Sequence, residues 1–375
     1  MLKLVKKIML LALIIDVALV GGIAIFINVH PEFGGSHSKE DLARYQETGL
    51  YEESSFKNKI ETNMDMDFKT IVSVTKDFFG GIPRSEPKEK IQVEYVDSLE
   101  LEQPYEATRL MWYGHSAFLL QMEGKNILLD PMLGESPTPV KFIGPKRYSE
   151  DLPISIQKLP KIDAIIISHD HYDHLDYPSI IALKDKTESF LVPMGVGAHF
   201  RAWGVPAEQI QEFTWWDEIK FKGLDLAFTP SRHFSGRGIM DRNTTLWGSW
   251  VIKGAQENIY FSGDGGYGPH FKEIGEKYGP FDFAMMECGQ YDMRWKDIHM
   301  MPEETAQAAA DVNTKLMMPI HWGGFTLGMH SWTDPIERVS AKARELGIPL
   351  IAPQIGQIFE PKASLKVEEW WKVDA

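Results

Sequence analysis

The chain has 375 residues, 43% hydrophobic and 25% charged, which is the composition of a folded protein with room for one large domain or two medium ones. Its formal net charge of -14 argues against a nucleic-acid partner, which calls for a basic face, but leaves phosphate-bearing substrates open, because bound metal ions supply local positive charge. The single cysteine, Cys288, excludes an internal disulfide and says nothing about the compartment.

Lys3, Lys6 and Lys7 precede a run from Ile8 to Val29 that is apolar except for Asp16 and Asn28. A helix needs roughly 20 such residues to cross a bilayer. The basic flank predicts a cytoplasmic amino terminus, with the rest of the chain on the outer face. His30-Pro31-Glu32 lacks the small residues of a cleavage site, so residues 1–29 are expected to stay as an uncleaved single-pass anchor. No cysteine follows the run, which excludes a lipoprotein anchor. Asp16 is a cost at mid-membrane.

Residues 30–105 read as an extension that leads from the membrane and packs on the main domain, with a flexible stalk as the alternative. Lys39 to Gln46 predicts a short helix. Asp65 to Phe79, with Met66, Ile71, Val74 and Phe78, is loosely helical.

The texture changes at Arg109. Leu110–Tyr113, Ala117–Leu120 and Asn126–Asp130 predict three strands, separated by Gly114 and a Glu123-Gly124-Lys125 turn. Asp163–Ser168 is the next strand. Tyr177–Lys184 predicts a helix, Phe190–Val192 a strand and Ala198–Trp203 a short helix. A second series of strands covers Leu224–Thr229, Leu246–Ile252, Asn258–Ser262 and Asp282–Glu287. Pro302–Val312 suits a helix, with Pro302 in the first turn and Glu303 and Glu304 at the positive end. Lys315–Ile320 is a strand, and Asp334 is expected to cap a helix running to Leu346. Pro349–Ala352 and Gln357–Phe359 close residues 106–375. Strands, then helices, then strands and helices again predict an α/β fold of two sheets packed face to face with helices outside.

Ser168 to Asp176 reads S-H-D-H-Y-D-H-L-D directly after an apolar strand. Imidazole nitrogens and carboxylate oxygens are ligands that Zn²⁺ favours, and they also accept manganese and iron. An extended turn can aim His169 and His171 at one ion, with Asp173 and His174 free for a second. Three further candidates each follow an apolar run: His233 after Leu226–Pro230, Asp264 after Ile259–Gly263 and His321 after Leu316–Ile320. The shared placement puts them on one rim of the sheets.

With its H-x-H-x-D-H loop, the chain resembles the metallo-β-lactamase superfamily, and within it the N-acylphosphatidylethanolamine-hydrolysing phospholipase D group. The resemblance runs from about Tyr113 to His321. Gly114-His115-Ser116, the loop itself, Leu246–Trp250, Gly263–Tyr267, His299 with Pro302-Glu303-Glu304, and Ile320–Gly323 carry it. It implies a four-layer αββα sandwich with two zinc ions. His169, His171 and His233 would hold one ion, Asp173, His174 and His321 the other, and Asp264 would bridge them. Two such ions lower the pKa of a bridging water towards neutrality and polarise a phosphoryl oxygen. His299 would bind substrate phosphate or protonate the leaving alkoxide. Asp170 is expected to orient the loop and Asp176 to hold a ligand imidazole. His115 and Arg232 are neighbours without a role, and Cys288 is core.

Trp295, Met300 and Met301 beside His299, with the other indoles, suit an acyl groove or plain core packing. The expected function is hydrolysis of a phosphodiester in N-acylphosphatidylethanolamine or a related phospholipid, delivered from the membrane. Hydrolysis of lactones or soluble phosphate esters is the alternative enzyme reading, and a non-catalytic envelope-tethered binding protein the alternative from another class.

Overall fold

The computed structural model describes residues 2–64, 67–142, 144–363 and 369–372. Asp65 and Met66 of the loosely helical stretch lie outside the described residues.

Helix α1 (Leu2–Val29) carries the apolar run; its mean hydropathy makes Lys3–Val29 a candidate membrane span, with none of its apolar window buried. Helix α2 (Lys39–Glu47) begins in a reciprocal cap, with Ser38 and Asp41 each bonding the other's backbone N–H. Strands β1 (Tyr51–Glu52) and β2 (Ser55–Phe56) form a small hairpin, followed by α3 (Phe68–Gly80) and α4 (Ser98–Glu102). The extension packs on the body. Tyr45 of α2 is fully buried, Arg201 Nη2 pairs with Asp41 at 2.7 Å, and Arg44 Nη2 pairs with Glu212 at 2.7 Å.

The first large sheet contains β3 (Arg109–Trp112), β4 (Phe118–Met122), β5 (Lys125–Leu129), β6 (Ile162–Ile166), β7 (Thr187–Pro193), β8 (Ile210–Phe213) and a late edge strand. Helices α5 (Tyr177–Leu183) and α6 (Gly197–Ala202) interrupt its second half. The second sheet contains β9 (Glu218–Phe221), β10 (Leu224–Thr229), β11 (Ser249–Lys253), β12 (Asn258–Phe261), β13 (Phe283–Glu287) and β14 (Met317–Ile320). Helices α7 (His270–Tyr278), α8 (Pro302–Asp311) and α9 (Asp334–Leu346) accompany it, and β15 (Ile358–Phe359) returns to the edge of the first sheet. The strand orders are β15-β3-β4-β5-β6-β7-β8 and β14-β13-β12-β11-β10-β9, antiparallel in one half of each sheet and parallel in the other.

The two-residue period of a strand sorts the side chains. Leu110, Trp112, Phe118, Leu120, Ile127 and Leu129 point into the core between the sheets. Their neighbours Met111, Leu119 and Leu128 point the other way, to a second core with Ile180 of α5 and Phe200 of α6. Ile274 of α7, Ala309 of α8 and Val339 of α9 join the main core from the far side of the second sheet. The four-layer αββα sandwich expected from the sequence is therefore present.

Some elements differ from the expectation. The strand expected from Leu246 begins at Ser249, because Leu246 N and Gly248 N donate to Met194 O and Ser168 O instead of to a neighbouring strand. Trp247 is nevertheless fully buried, as is Trp250, whose indole donates to Ile167 O at 2.8 Å. Thr333, not Asp334, precedes the last long helix, and its side chain makes no capping bond. Strands β8 and β9 and helices α4 and α7 are additional to the elements expected: β9 is a short strand alternating Glu218 and Lys220 with Ile219 and Phe221, and α7 follows Pro269, which offers no side-chain cap.

Candidate metal centre

The seven predicted ligands follow the ends of β6, β10, β12 and β14 at one rim of the two sheets. The rim is closed by backbone bonds between the sheets: His115 N donates to Trp322 O and His321 N to His115 O, both at 3.0 Å. His115, Asp130, Gln290 and His321 all have positive φ, between 38° and 66°, a backbone region rarely used by residues with side chains and concentrated at functional sites. Gly263 has φ +56° at the end of β12, and an added Cβ there would stand 2.6 Å from Ser168 Cβ, so only glycine brings Asp264 this close to the loop after β6.

His169 Nε2 lies 2.9 Å from His171 Nδ1, which lies 3.3 Å from His233 Nε2. Tetrahedral zinc with Zn–N of ~2.0–2.1 Å sets ligand nitrogens roughly 3.3 Å apart, so the spacing fits one cation. The tautomers agree. Ser168 Oγ donates to Asp130 and so receives the Nδ1–H of His169 at 2.9 Å, while His233 Nδ1–H donates to Ile298 O at 2.9 Å. His169 and His233 thus keep their Nε2 lone pairs for the centre, and His171 presents Nδ1. Burial pushes His171 down to about 4 and holds His169 and His233 well below 6.5, which keeps these imidazoles neutral.

The second group is His174, Asp173, His321 and His115. His174 Nδ1 donates to Asp130 Oδ2 at 2.7 Å, leaving Nε2 facing Asp264 Oδ2 at 3.1 Å and Asp173 Oδ2 at 3.5 Å. Burial opposes the charged form of His174, but Asp264, Asp173 and Asp130 together raise its pKa well above the ordinary value, so a proton stands where a cation can take its place. Asp264 lies between the groups. Its Oδ2 is 3.9 Å from both His169 Nε2 and His233 Nε2, and its Oδ1 is 3.1 Å from His321 Nδ1 yet buried without a hydrogen-bond partner. A buried carboxylate oxygen with an unused lone pair among imidazoles fits a cation.

His299 stands beside both groups. Its ring stacks on His321 at 5.2 Å between centroids, and its Nδ1 is 3.0 Å from Glu287 Oε1, which leaves Nε2 as the free nitrogen. With His171, Asp173, Asp264 and His321 it lines a cleft of about 270 Å³ whose other walls are Gln290 and the apolar Met64, Phe234, Trp295, Ile298 and Leu327. Of the residues proposed for an acyl groove, Trp295 therefore faces the cleft, while Met300, Trp215, Trp322 and Trp332 are buried in the core.

Asp170 points away from the centre. It accepts from Gly236 N at 2.8 Å and Thr245 Oγ1 at 2.7 Å, as expected of a loop-orienting residue. Asp176 holds no imidazole: its Oδ2 caps α5 through Ser179 N at 3.0 Å and takes the Ser179 hydroxyl as well. Its position one residue before Tyr177-Pro178 makes it a helix cap rather than a support for a ligand. Asp176→Ala is expected to lower stability by about 1–2 kcal/mol with metal content unchanged, checked by thermal melting beside elemental analysis. Arg232 lies at the edge of the site, bound to Asp297 at 2.8 Å and to Glu61 O at 2.6 Å. Cys288 is buried.

The imidazole support expected from Asp176 comes instead from Asp130, which sequence reading placed at the end of β5 without a role. The same apolar-run-then-carboxylate pattern that marked Asp264 also marked Asp130. His115, likewise without a role, donates Nε2–H to Asp173 Oδ2 at 2.8 Å. Asn58 of the extension was unforeseen: it grips the backbone of His233, accepting from its N at 3.2 Å and donating to its O at 2.7 Å.

A two-sheet sandwich with clustered histidines and carboxylates at one rim is the frame of a metal centre, and the relatives make its class that of the metal-dependent hydrolases. The chain belongs to the metallo-β-lactamase superfamily: residues 125–322 match the family model described as "Beta-lactamase superfamily domain". An uncharacterized protein of Mycobacterium tuberculosis is 41% identical over 274 residues, covering 72% of this chain and 73% of the relative. N-acyl-phosphatidylethanolamine-hydrolyzing phospholipase D 1 of Caenorhabditis elegans is 33% identical over 229 residues, covering 58% of this chain and 64% of that protein. Among solved structures, a possible metal-dependent hydrolase from Veillonella parvula superposes with a TM-score of 0.54 at 16% identity, over 68% of this chain and 100% of that one, a likeness of fold.

Proposed function

We propose that the protein is a membrane-anchored dinuclear zinc hydrolase that cleaves a phosphodiester of N-acylphosphatidylethanolamine or a related phospholipid, in the manner of a phospholipase D. The observation that carries this reading is the cleft itself, where Asp173, Asp264, His299 and His321 face apolar walls from Met64, Phe234, Trp295 and Leu327. Polar chemistry against an apolar wall suits a charged headgroup joined to acyl chains. The likeness to the Caenorhabditis elegans phospholipase D supports the same substrate class.

His169, His171 and His233 would hold one ion and Asp173, His174 and His321 the other, with Asp264 shared. When bound, the ions supply Lewis acidity toward a phosphoryl oxygen and lower the pKa of water. The chain's own residues do the rest. Asp130 and Ile298 O fix the tautomers of His174 and His233. His115 orients Asp173 through its 2.8 Å bond. His299, held at Nδ1 by Glu287, presents Nε2 to the cleft, placed to bind phosphate or return a proton to the leaving alkoxide. In this reading residues 1–29 are the anchor, 30–105 the extension and 106–375 the hydrolase, with the amino terminus cytoplasmic and the hydrolase on the outer face.

The full chain, loaded with Zn²⁺ and given N-acylphosphatidylethanolamine in mixed micelles, is expected to release phosphatidic acid and N-acylethanolamine. A zinc-loaded protein that releases neither, but turns over a lactone or a soluble phosphodiester in the same panel, would move the assignment to those substrates.

A further inference from the structure

Helix α1 does not leave the body as a loose tether. Trp203 Nε1 donates to Pro31 O and Arg237 Nε to Glu32 O, both at 2.8 Å, and Phe33 packs edge-on against Tyr172 of the metal loop at 6.4 Å between centroids. Arg237 Nη1 also donates to Asp170 O at 2.6 Å and Leu175 O at 2.7 Å, so one guanidinium joins the foot of the anchor to the metal loop.

Two surface loops meet at the same foot. Lys141 Nζ lies 3.3 Å from Glu32 Oε1, and the next residue is Phe142. Arg237 binds Glu32 O, and two residues later come Ile239 and Met240. Phe142, Ile239 and Met240 are 85%, 71% and 92% exposed, an arrangement with no use inside the fold. The second loop is not slack. The Asp241 carboxylate accepts from Arg237 N at 2.9 Å and Gly238 N at 2.7 Å, which holds the apolar tip outward.

The tip also stands at a telling height. A cleft of about 760 Å³ lies between the loop and α1, walled by Val20, Ile23 and Ile27 on one side and Ile239 and Met240 on the other. Val20 precedes the end of α1 at Val29 by a distance of roughly 13 Å along a helix axis. The loop and the turns of α1 from Val20 to Ile27 thus line one cleft.

We infer that Phe142 and the Ile239–Met240 tip enter the lipid beside α1, as a second membrane contact that fixes the tilt of the hydrolase on the bilayer. This rests on the reading of α1 as a membrane anchor. The occupant is lipid because the surface is continuous with an apolar helix whose own faces are uncovered.

The test uses the full chain in vesicles of phosphatidylethanolamine and phosphatidylglycerol. Spin labels go on Phe142→Cys and Met240→Cys, with Ile14→Cys in α1 and Lys220→Cys, 86% exposed in its side chain, as references; the other thiol, Cys288, is buried. Collisional access is compared for oxygen, which concentrates in lipid, and a water-soluble nickel chelate. Labels at 142 and 240 are expected to follow Ile14, favouring oxygen, while 220 favours nickel. If 142 and 240 follow 220 while 14 favours oxygen, the loop contact is overturned and the anchor stands. If 14 also favours nickel, both fall. Shielding of 142 and 240 from both reagents would overturn the inference in favour of a covering protein, including a second copy. No substrate enters the measurement, so a failed phospholipase assay leaves it standing.

Discussion

Asp264→Asn is expected to reduce turnover by about a thousandfold while leaving the metal-free fold intact. The carboxylate faces His174 Nε2 and His321 Nδ1, each at 3.1 Å, and two further imidazole nitrogens at 3.9 Å, so both groups of ligands depend on one negative charge. An amide keeps the shape and removes the charge. Loss of several kcal/mol of transition-state stabilisation corresponds to ~10³ in rate. The metal-free variant should still melt cooperatively, because the amide keeps the carboxylate's shape and His174 retains Asp130 and Asp173 as partners. Added Zn²⁺ should raise the melting temperature of the wild type and raise that of the variant much less. Near-normal turnover, or an undiminished zinc-induced shift, would sink the shared-ligand assignment.

Asp130→Asn is expected to weaken metal binding at the His174 group by ~10–100-fold, although Asp130 need not touch an ion. Its Oδ1 accepts from Ser168 N at 2.7 Å, and its Oδ2 accepts from the Ser168 hydroxyl at 2.5 Å and His174 Nδ1 at 2.7 Å. A backbone N–H can only donate, so the asparagine oxygen must take the Oδ1 position. The amide NH₂ then faces His174 Nδ1, which has to become the acceptor. The ring proton moves to Nε2, and the lone pair aimed at the centre is lost. Asp130→Ala should do different damage, leaving buried donors of Ser168 and His174 unpaired at about 1–3 kcal/mol each. Zinc titration and thermal melting separate the two: the asparagine variant mainly loses affinity, the alanine variant mainly stability. Equal zinc affinity in wild type and Asp130→Asn would remove Asp130 from the centre.

The loop at Ser168 was legible because it is local: ligand types crowd into nine positions after an apolar strand. His233, Asp264 and His321 were legible one at a time, as polar residues at the ends of apolar runs. Asp130, His115 and Asn58 were not, although Asp130 ended a strand in the same way. Their roles are set by partners far off in sequence: Asp130 reaches His174 across 44 residues, His115 reaches Asp173 across 58, and Asn58 reaches His233 across 175. Asp176 was misread for the complementary reason, since a carboxylate next to ligands suggests support, while Ser179 three residues on makes it a cap.

By itself the sequence determined the alternation that sorts side chains between two cores, the apolar helix at the amino terminus, and the strand-end placement of the ligand types. All of these are set by periodicity and short-range chemistry, which a linear chain records directly. Only the tertiary structure decided which atoms face one another. The tautomers at the centre, the place of Asp264 between two groups, the clamp of Glu32 and Arg237 at the foot of α1, and the two apolar loop tips beside it all arise from contacts between distant segments. Hydrogen bonds and burial act through ångströms of space, and no spacing along the chain encodes that distance.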